Sequence, residues 1–226
     1  LMIFILVVGP TLFILGSTIQ STGYYLQNII STGTCMEVYK GTTWMDSWTF
    51  FYWGWWFAWA PFVGLFVARI SKGRTIKEFL IGVVIAPTLA TIVWISIFGS
   101  TSLHIEIFGS GGMTEAVNQD ITTALFKLLE HFPLPYLSIL FVVIAGVIFF
   151  ITSSDSGSLV IDFITSGGQE NTPVQLRIFW ALLEGAVAAV LLWGGGLIAL
   201  QTGSLVTGLP VCLLMLVVCY AILKAL

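Results

Sequence analysis

The sequence predicts an all-α integral membrane protein. Hydrophobic residues make up 58% of the 226-residue chain and charged residues only 8%, whereas soluble domains contain about 25% charged residues. The apolar residues are grouped in separate blocks close to the length that an α-helix needs to cross a bilayer. The net charge is −3 and no large basic cluster occurs, so we expect a lipid bilayer and no nucleic acid as a partner.

The apolar blocks predict about six transmembrane helices. The first block, Leu1–Gly16, opens the chain without a polar leader, so we interpret the chain as a piece of a longer membrane protein. The segment Gly208–Pro210 predicts a break or kink within the last block. The other five blocks are Trp48–Ile70, Phe79–Phe98, Leu134–Thr152 continuing towards Ile164, Val174–Trp193 and Leu197–Ala225.

Two long polar segments, Ser17–Ser47 and Gly99–Pro133, separate these blocks. Within the second segment, residues 118–131 predict one amphipathic surface helix, for which Asn118 is a plausible N-cap. The apolar residues on one side of that helix are Ile121, Leu125, Leu128 and Leu129.

The basic residues predict the orientation of the chain in the membrane. Six of the eight Lys and Arg residues fall on one side if the spans alternate, and the positive-inside rule places that side in the cytoplasm. We therefore expect a multi-pass protein of the plasma (inner) membrane. The six residues are Arg69, Lys72, Arg74, Lys77, Arg177 and Lys224.

Tryptophan is concentrated in the second block. Six of the nine tryptophans lie between Trp44 and Trp59, and at about 100° per residue one helix face collects most of the aromatic side chains. For Trp44, Trp48 and Trp53 an aromatic belt at the membrane interface is the better interpretation. The predicted face consists of Trp48, Tyr52, Trp55, Trp56, Trp59, Phe62 and Phe66.

The position of Trp55, Trp56 and Trp59, two to three turns into the span, indicates a binding role. Indole rings attract cations over their faces, and a quaternary ammonium group has no N–H with which to form hydrogen bonds. Pro61 follows directly and can break the helix, and broken helices at membrane depth line binding sites.

A polar cluster lies late in the fourth block, where Thr152–Ser158 contains five hydroxyl side chains and one carboxylate. Hydroxyl and carbonyl oxygens are the ligands that small hard cations prefer, which favours an alkali-ion site. The alternative is a helix end in which the hydroxyls of residues such as Ser156 and Ser158 bond back to the helix. Because apolar residues follow, the cluster predicts an interruption of the helix.

Glu184 is isolated in the middle of the fifth block, where an ionised carboxylate costs about 3 kcal/mol. We favour a structural contact with a neighbouring helix over a proton or cation relay. His104 and His131 lack metal-ligand spacing, so no metal site is expected.

Four segments in this order resemble the betaine/carnitine/choline transporter family: Gly9–Phe13, Trp48–Thr75, Phe150–Ser158 and Phe179–Ala186. The second, which contains Phe-Tyr-Trp-Gly-Trp-Trp-Phe-Ala-Trp-Ala-Pro-Phe, is the most specific. The resemblance implies a twelve-helix protein with two inverted LeuT-like repeats of five helices. Residues 1–226 would then form a single transmembrane-domain fragment, with the end of the seventh helix, helices eight to twelve, and hence the second repeat.

The same resemblance implies the site residues. It assigns Trp55, Trp56 and Trp59 to the substrate route. It assigns Phe149, Thr152 and Ser153 to one sodium site and Phe62 to a second, with Na⁺ as coupling ion and no other cofactor. The whole family protein would be a homotrimer.

The expected function is therefore sodium-coupled symport of a quaternary-ammonium solute such as glycine betaine or choline, and not catalysis. The segment Trp59–Phe62 resembles sodium-coupled importers more than sodium-independent carnitine exchangers. A carnitine/betaine exchanger, a proton-coupled choline importer and a non-transporting fragment or sensor remain as alternatives.

Overall fold

The computed structural model describes residues 1–42, 44–169 and 172–225, and every regular element within these ranges is helical. The predicted all-α class is confirmed. The helices are α1 Met2–Val8, α2 Thr11–Gly33, α3 Phe51–Ile70, α4 Ile76–Leu80, α5 Ala86–Phe108, α6 Met113–Gln119, α7 Ala124–Glu130, α8 Pro135–Thr165 and α9 Val174–Ala225. Short π-helical segments, Asp46–Phe50 and Ile81–Ile85, lead into α3 and α5, and a 3₁₀ turn, Ile121–Thr123, leads into α7.

Four helices in the described ranges are long and apolar enough to cross a membrane, or five if one bent pair is counted as a span. The predicted number of about six is therefore not met. The difference arises at the two ends of the chain, where one predicted span is a bent pair of helices and two others are joined in α9 across a non-helical pair, Gly195 and Gly196. The four spans are Trp48–Ile70, Ile76–Phe108, Pro135–Thr165 and Val174–Lys224.

The predicted first span, Leu1–Gly16, is wrong because the chain bends by 114° between α1 and α2. Gly9 precedes Pro10, and a residue before proline is disfavoured in the helical conformation. Gly9 is accordingly extended, with ψ −168°. The Thr11 hydroxyl donates to the Leu6 carbonyl oxygen at 2.5 Å across the bend. Helix α2 then continues into the segment that was predicted to be polar.

The span Ile76–Phe108 is longer at both ends than the predicted block Phe79–Phe98. It begins at a capping box, in which Thr75 and Glu78 satisfy each other's backbone N–H groups. It continues to Phe108 because the hydroxyls of Thr101 and Ser102 donate to carbonyl oxygens four residues earlier, which lets polar residues remain helical.

The predicted helix over residues 118–131 is two short helices joined by a 3₁₀ turn, and Asn118 lies inside α6. The capping residue is Asp120, whose Oδ1 accepts from the Thr122 hydroxyl at 2.6 Å and from the Thr122 amide at 2.9 Å. These bonds, the side-chain one first, lower the pKa of Asp120. Leu128 and Leu129 are buried, whereas Ile121, which was predicted on the same side of the helix, is exposed.

Helix α8 is continuous from Pro135 to Thr165, so the predicted interruption at the hydroxyl cluster is wrong. Ser156 shows why, since its hydroxyl donates to the Thr152 carbonyl oxygen at 2.8 Å within the helix. That back-bonding was the alternative interpretation of the cluster, and it is confirmed for Ser156.

Helix α9 is irregular at Gly195 and Gly196 and not at Gly208–Pro210, where the break was predicted. Gly196 has φ 62°, a conformation that favours glycine. The irregular pair falls between the predicted fifth and sixth blocks, so that boundary was placed correctly. Gly208 instead lies close to α3, since a Cβ built on it would be 2.5 Å from the Gly54 carbonyl oxygen.

The chain forms two compact units. Unit 1 consists of Leu1–Ile30 and Arg74–Phe149, and unit 2 of Ser31–Gly73 and Phe150–Leu226. Unit 1 has a core of buried apolar side chains, and Ser17 donates to Ser100 at 2.6 Å beside it. The core residues are Ile5, Ile14, Ile97, Phe98, Met113, Leu128, Leu129 and Phe132. Unit 2 contains the candidate substrate-binding surface, on α3.

Candidate substrate and cation sites

Aromatic side chains form a continuous row along α3. The Trp48 and Tyr52 rings stack with their centroids 5.9 Å apart, and Tyr52 meets Trp55 edge to face at 6.0 Å. The row continues from Trp59 to Phe62, whose centroids are 6.0 Å apart. Trp53 stacks on Phe57 instead. The predicted aromatic face is thus confirmed over these residues, and Trp53 lies off it.

Trp55, Trp56 and Trp59 form the centre of this row, which we call the indole wall. Trp55 and Trp59 stack at 5.9 Å with an interplanar angle of 22°, and Trp56 stands edge to face against Trp59 at 5.7 Å and 67°. The rings touch one another, so a cation has no space between them. It would instead lie over their outer faces, which are accessible because the side chains are 38%, 54% and 38% exposed.

Pro61 does not break α3, which is continuous from Phe51 to Ile70. The break that a proline can cause at this position does not occur. Pro61 removes one backbone hydrogen bond, but the φ that its ring fixes is close to the helical value and α3 continues through it. The consequence for the site is that Phe62 stays in register with the indole wall.

The structure places the predicted sodium residues on two helices. Phe149, Thr152 and Ser153 are spaced i, i+3 and i+4 on α8, which places them on one side of that helix. Phe62 lies on α3 and contacts Trp59. The structure therefore joins Phe62 to the indole wall and gives the other three residues a common helix face. Their roles in binding stay predictions.

Glu184 contacts the neighbouring helix α8, as the favoured structural interpretation predicted. Its Oε2 accepts from the hydroxyls of Ser154 and Ser158, each at 3.3 Å. The alternative interpretation of Ser158, a bond back to its own helix, is wrong. Sequence reasoning did not pair these residues, although the i, i+4 spacing of the two serines was a usable signal because it places both on one helix face.

Asp162 and Arg177 form a second polar contact between α8 and the start of α9, which the sequence analysis missed. Asp162 is only 2% exposed, and its Oδ2 lies 3.5 Å from the Arg177 Nε. The Thr172 hydroxyl also donates to this carboxylate. The available signal was an acid within the apolar stretch 159–164 and a base at the opening of the next span.

Helices α3 and α8 meet at the end that the charge pattern places in the cytoplasm. The Arg69 guanidinium carbon lies 5.7 Å from the centroid of the Phe163 ring, which is a cation–π contact. The indole wall is about three turns further along α3, so this contact holds α8 against the far end of the helix that carries the wall.

Comparison with known proteins identifies the class of this protein, which is a membrane transporter, and also its family. The sequence profile described as "BCCT, betaine/carnitine/choline family transporter" matches residues 1–226. The chain therefore belongs to the betaine/carnitine/choline transporter family, whose members are multi-pass membrane transporters and not enzymes.

Three relatives illustrate the match. A glycine betaine/proline/choline/ectoine transporter of Vibrio parahaemolyticus is 46% identical over 94% of this chain and 38% of its own length. The glycine betaine transporter OpuD of Bacillus subtilis is 40% identical over 100% of the chain and 44% of its own length. An uncharacterised transporter of Mycobacterium tuberculosis is 45% identical over 100% of the chain and 38% of its own length. The chain thus spans less than half the length of these relatives.

Proposed function

We propose that this chain is part of a secondary transporter that takes up a quaternary-ammonium compatible solute, such as glycine betaine or choline, together with Na⁺. The observation that carries the proposal is the indole wall on α3. The names of the relatives agree with it, since several are called glycine betaine transporters. In the proposal, residues 1–226 supply the second LeuT-like repeat of a protein that assembles as a homotrimer.

The chemistry of the wall supports an onium substrate. A trimethylammonium group cannot donate hydrogen bonds, so ring faces are its best partners, at about 2 kcal/mol or more for a desolvated contact. The three indoles contact each other and offer outer faces only. In the proposal, the rest of the full-length protein supplies the opposite side of the cage and the contacts to the carboxylate or hydroxyl end of the substrate.

Sodium coupling is supported by the hydroxyl oxygens of Thr152 and Ser153 on one face of α8, and by Phe62 next to the indole wall. Hydroxyl oxygens suit a small hard cation. Coupling requires that Na⁺ bind the substrate-competent state better than the alternative, because an ion can shift an equilibrium only by its differential affinity. By reciprocity, substrate would then raise the affinity for Na⁺.

The test is uptake of labelled glycine betaine and choline by the full-length protein in proteoliposomes, with an inward Na⁺ gradient, with an inward proton gradient and with neither. We expect uptake against a concentration gradient only with Na⁺. Uptake that follows the proton gradient, or exchange that needs only internal substrate, would refute sodium coupling and leave the onium site in place. No uptake of any trimethylammonium compound would refute the proposed function itself.

A matched pair of variants assigns the coupling to α8. Thr152→Ala should raise the Na⁺ concentration for half-maximal uptake by about tenfold, since one oxygen ligand to a cation is lost. Ser156→Ala is the control, because the Ser156 hydroxyl bonds back to its own helix. Equal effects of the two substitutions would contradict the assignment.

A further inference from the structure

Glu184 is the one acidic residue of α9, and it sits among apolar residues in a membrane-spanning segment. Within the described ranges, no basic side chain forms an ion pair with Glu184. The nearest basic residue on its own helix, Arg177, pairs with Asp162. An ionised carboxylate at this depth costs about 3 kcal/mol unless it has a partner. The two serine hydroxyls that contact it carry no charge, so the negative charge of Glu184 is not compensated by them.

The two hydrogen bonds to Glu184 are long, and the spacing of their oxygen atoms also fits the ligands of one shared cation. Both Ser Oγ to Oε2 separations are 3.3 Å, whereas hydroxyl-to-carboxylate hydrogen bonds are normally about 2.5–2.7 Å. Oxygen ligands lie about 2.4 Å from a cation of the size of Na⁺ or Ca²⁺, so two of them at right angles are about 3.4 Å apart. The carboxylate and the two hydroxyls are spaced accordingly.

Gly157 lies on the same face of α8 as the two serines and makes room for the carboxylate. A Cβ built on Gly157 would be 3.1 Å from Oε1 and 3.7 Å from Oε2 of Glu184. A side chain at this position would therefore require the carboxylate to shift by a few tenths of an ångström. The face of α8 that meets Glu184 thus consists of two oxygen donors one turn apart with an open position between them.

A cavity of about 340 Å³ borders Glu184 and offers space for the water molecules that would complete a coordination shell. Trp180 lines the same cavity. Its indole Nε1 is buried and has no hydrogen-bond partner in the part of the chain that the structure describes. A buried N–H is normally satisfied, and water held beside a bound ion would satisfy this one. The orphan donor and Glu184 thus line the same cavity.

We propose that Glu184, Ser154 and Ser158 bind a monovalent cation of the size of Na⁺ between α8 and α9. The single carboxylate sets the charge, because one positive charge neutralises it whereas a divalent ion would leave an excess charge within the membrane. The spacing of these oxygen atoms favours a cation of the size of Na⁺ over K⁺, because the larger K⁺ ion needs its oxygen ligands further apart. The site uses different residues from the sodium site predicted at Phe149, Thr152 and Ser153. Only its role in transport rests on the proposed function.

The test is thermal unfolding of the purified full-length protein without substrate, titrated with NaCl against N-methylglucamine chloride at constant ionic strength. A ligand that binds the native state raises stability by RT ln(1 + [L]/Kd). We carry the titration out in the Thr152→Ala/Ser153→Ala background, so that the predicted sodium site does not contribute. In that background we expect Tm to rise with Na⁺ and to rise much less with K⁺.

Three variants then assign the effect. Glu184→Gln and the double change Ser154→Ala/Ser158→Ala should each raise the Na⁺ concentration for half of the Tm shift by at least about tenfold, as expected for the loss of a contact to a charge. Ser156→Ala should leave it unchanged. If Glu184→Gln does not fold, the serine variants decide. Serine variants that titrate like the background protein, or a Tm that does not respond to Na⁺, would overturn the site.

The outcomes separate this site from the proposed function. A Tm response that depends on Glu184, without Na⁺-driven uptake, would keep the cation site and refute sodium symport. Na⁺-driven uptake with a Tm response that is independent of Glu184, Ser154 and Ser158 would keep symport and refute this site.

Discussion

Replacing Arg177 by Gln tests the contact that joins α8 to α9. Asp162 is 2% exposed and Arg177 is 42% exposed, and the Nε to Oδ2 distance of 3.5 Å is an ion-pair distance without a hydrogen bond. Breaking a buried ion pair by removing one partner typically costs about 3–5 kcal/mol. Because Arg177 is partly solvated and the Thr172 hydroxyl still donates to Asp162, we expect the lower end, a loss of about 3 kcal/mol.

The assay is the free energy of unfolding of the full-length protein in detergent, from a reversible denaturant titration. Lys127→Gln is the control, because the Lys127–Glu130 pair is 52% and 50% exposed and should contribute no more than about 1 kcal/mol. The double change Asp162→Asn/Arg177→Gln should cost less than Arg177→Gln alone, since it leaves no uncompensated charge. Equal losses for Arg177→Gln and Lys127→Gln would refute this reasoning.

Three further predictions follow from the geometry. Trp56→Ala should weaken glycine betaine binding to the full-length protein, measured by calorimetry, by about 1–2 kcal/mol. Trp53 lies off the indole wall, so Trp53→Ala should leave the affinity unchanged. Equal effects of the two substitutions would favour an aromatic belt at the membrane interface. Gly208→Ala brings a Cβ to 2.5 Å from a backbone oxygen of α3 and should lower the free energy of unfolding by about 1–3 kcal/mol. Gly185→Ala meets nothing within 4 Å among the described residues and should not lower it. The pKa of Asp120 is lowered in the folded protein, so its stabilising effect is present above the unfolded pKa of about 3.9 and is lost as pH falls through the lower folded value. Hydrogen exchange of the 3₁₀ turn, corrected for intrinsic rates, should therefore become faster below about pH 4 in the native protein but not in Asp120→Asn, and identical profiles would contradict the cap.

Composition and apolar block length were sufficient to predict the helical class and most of the apolar core of each span. The errors occurred where local backbone chemistry decides. Pro10 ended a helix because Gly9 before it is disfavoured in the helical conformation, whereas Pro61 and Pro210 are accommodated inside helices. Sequence alone does not distinguish these cases, since a proline breaks a helix only where packing does not compensate the lost hydrogen bond.

Hydroxyl-rich stretches were the other source of error. The predicted block Phe79–Phe98 ended before Thr101, and the cluster that contains Ser156 predicted an interruption. Each of these two hydroxyls instead bonds to a carbonyl oxygen four residues earlier, and the helix continues. The polarity of such residues is satisfied within the helix, so hydropathy underestimates the length of the span.

The indole wall was predictable because it depends only on helical periodicity within one element. Trp55 and Trp59 are one turn apart, and they stack as the spacing requires. The contacts of Glu184 with Ser154 and of Asp162 with Arg177 join two helices. Their pairing depends on the relative register of α8 and α9, which no single-helix pattern contains.

The central claim is that the indole wall recognises the positive charge of the substrate. The most direct measurement compares the binding of glycine betaine to the full-length protein with that of 3,3-dimethylbutanoate, which has the same shape but carries a carbon in place of the quaternary nitrogen. We predict that glycine betaine binds at least about tenfold more tightly, as expected for a desolvated cation–π contact, and that Trp56→Ala reduces this ratio. Equal affinities for the two ligands, or a ratio that Trp56→Ala leaves unchanged, would contradict the account.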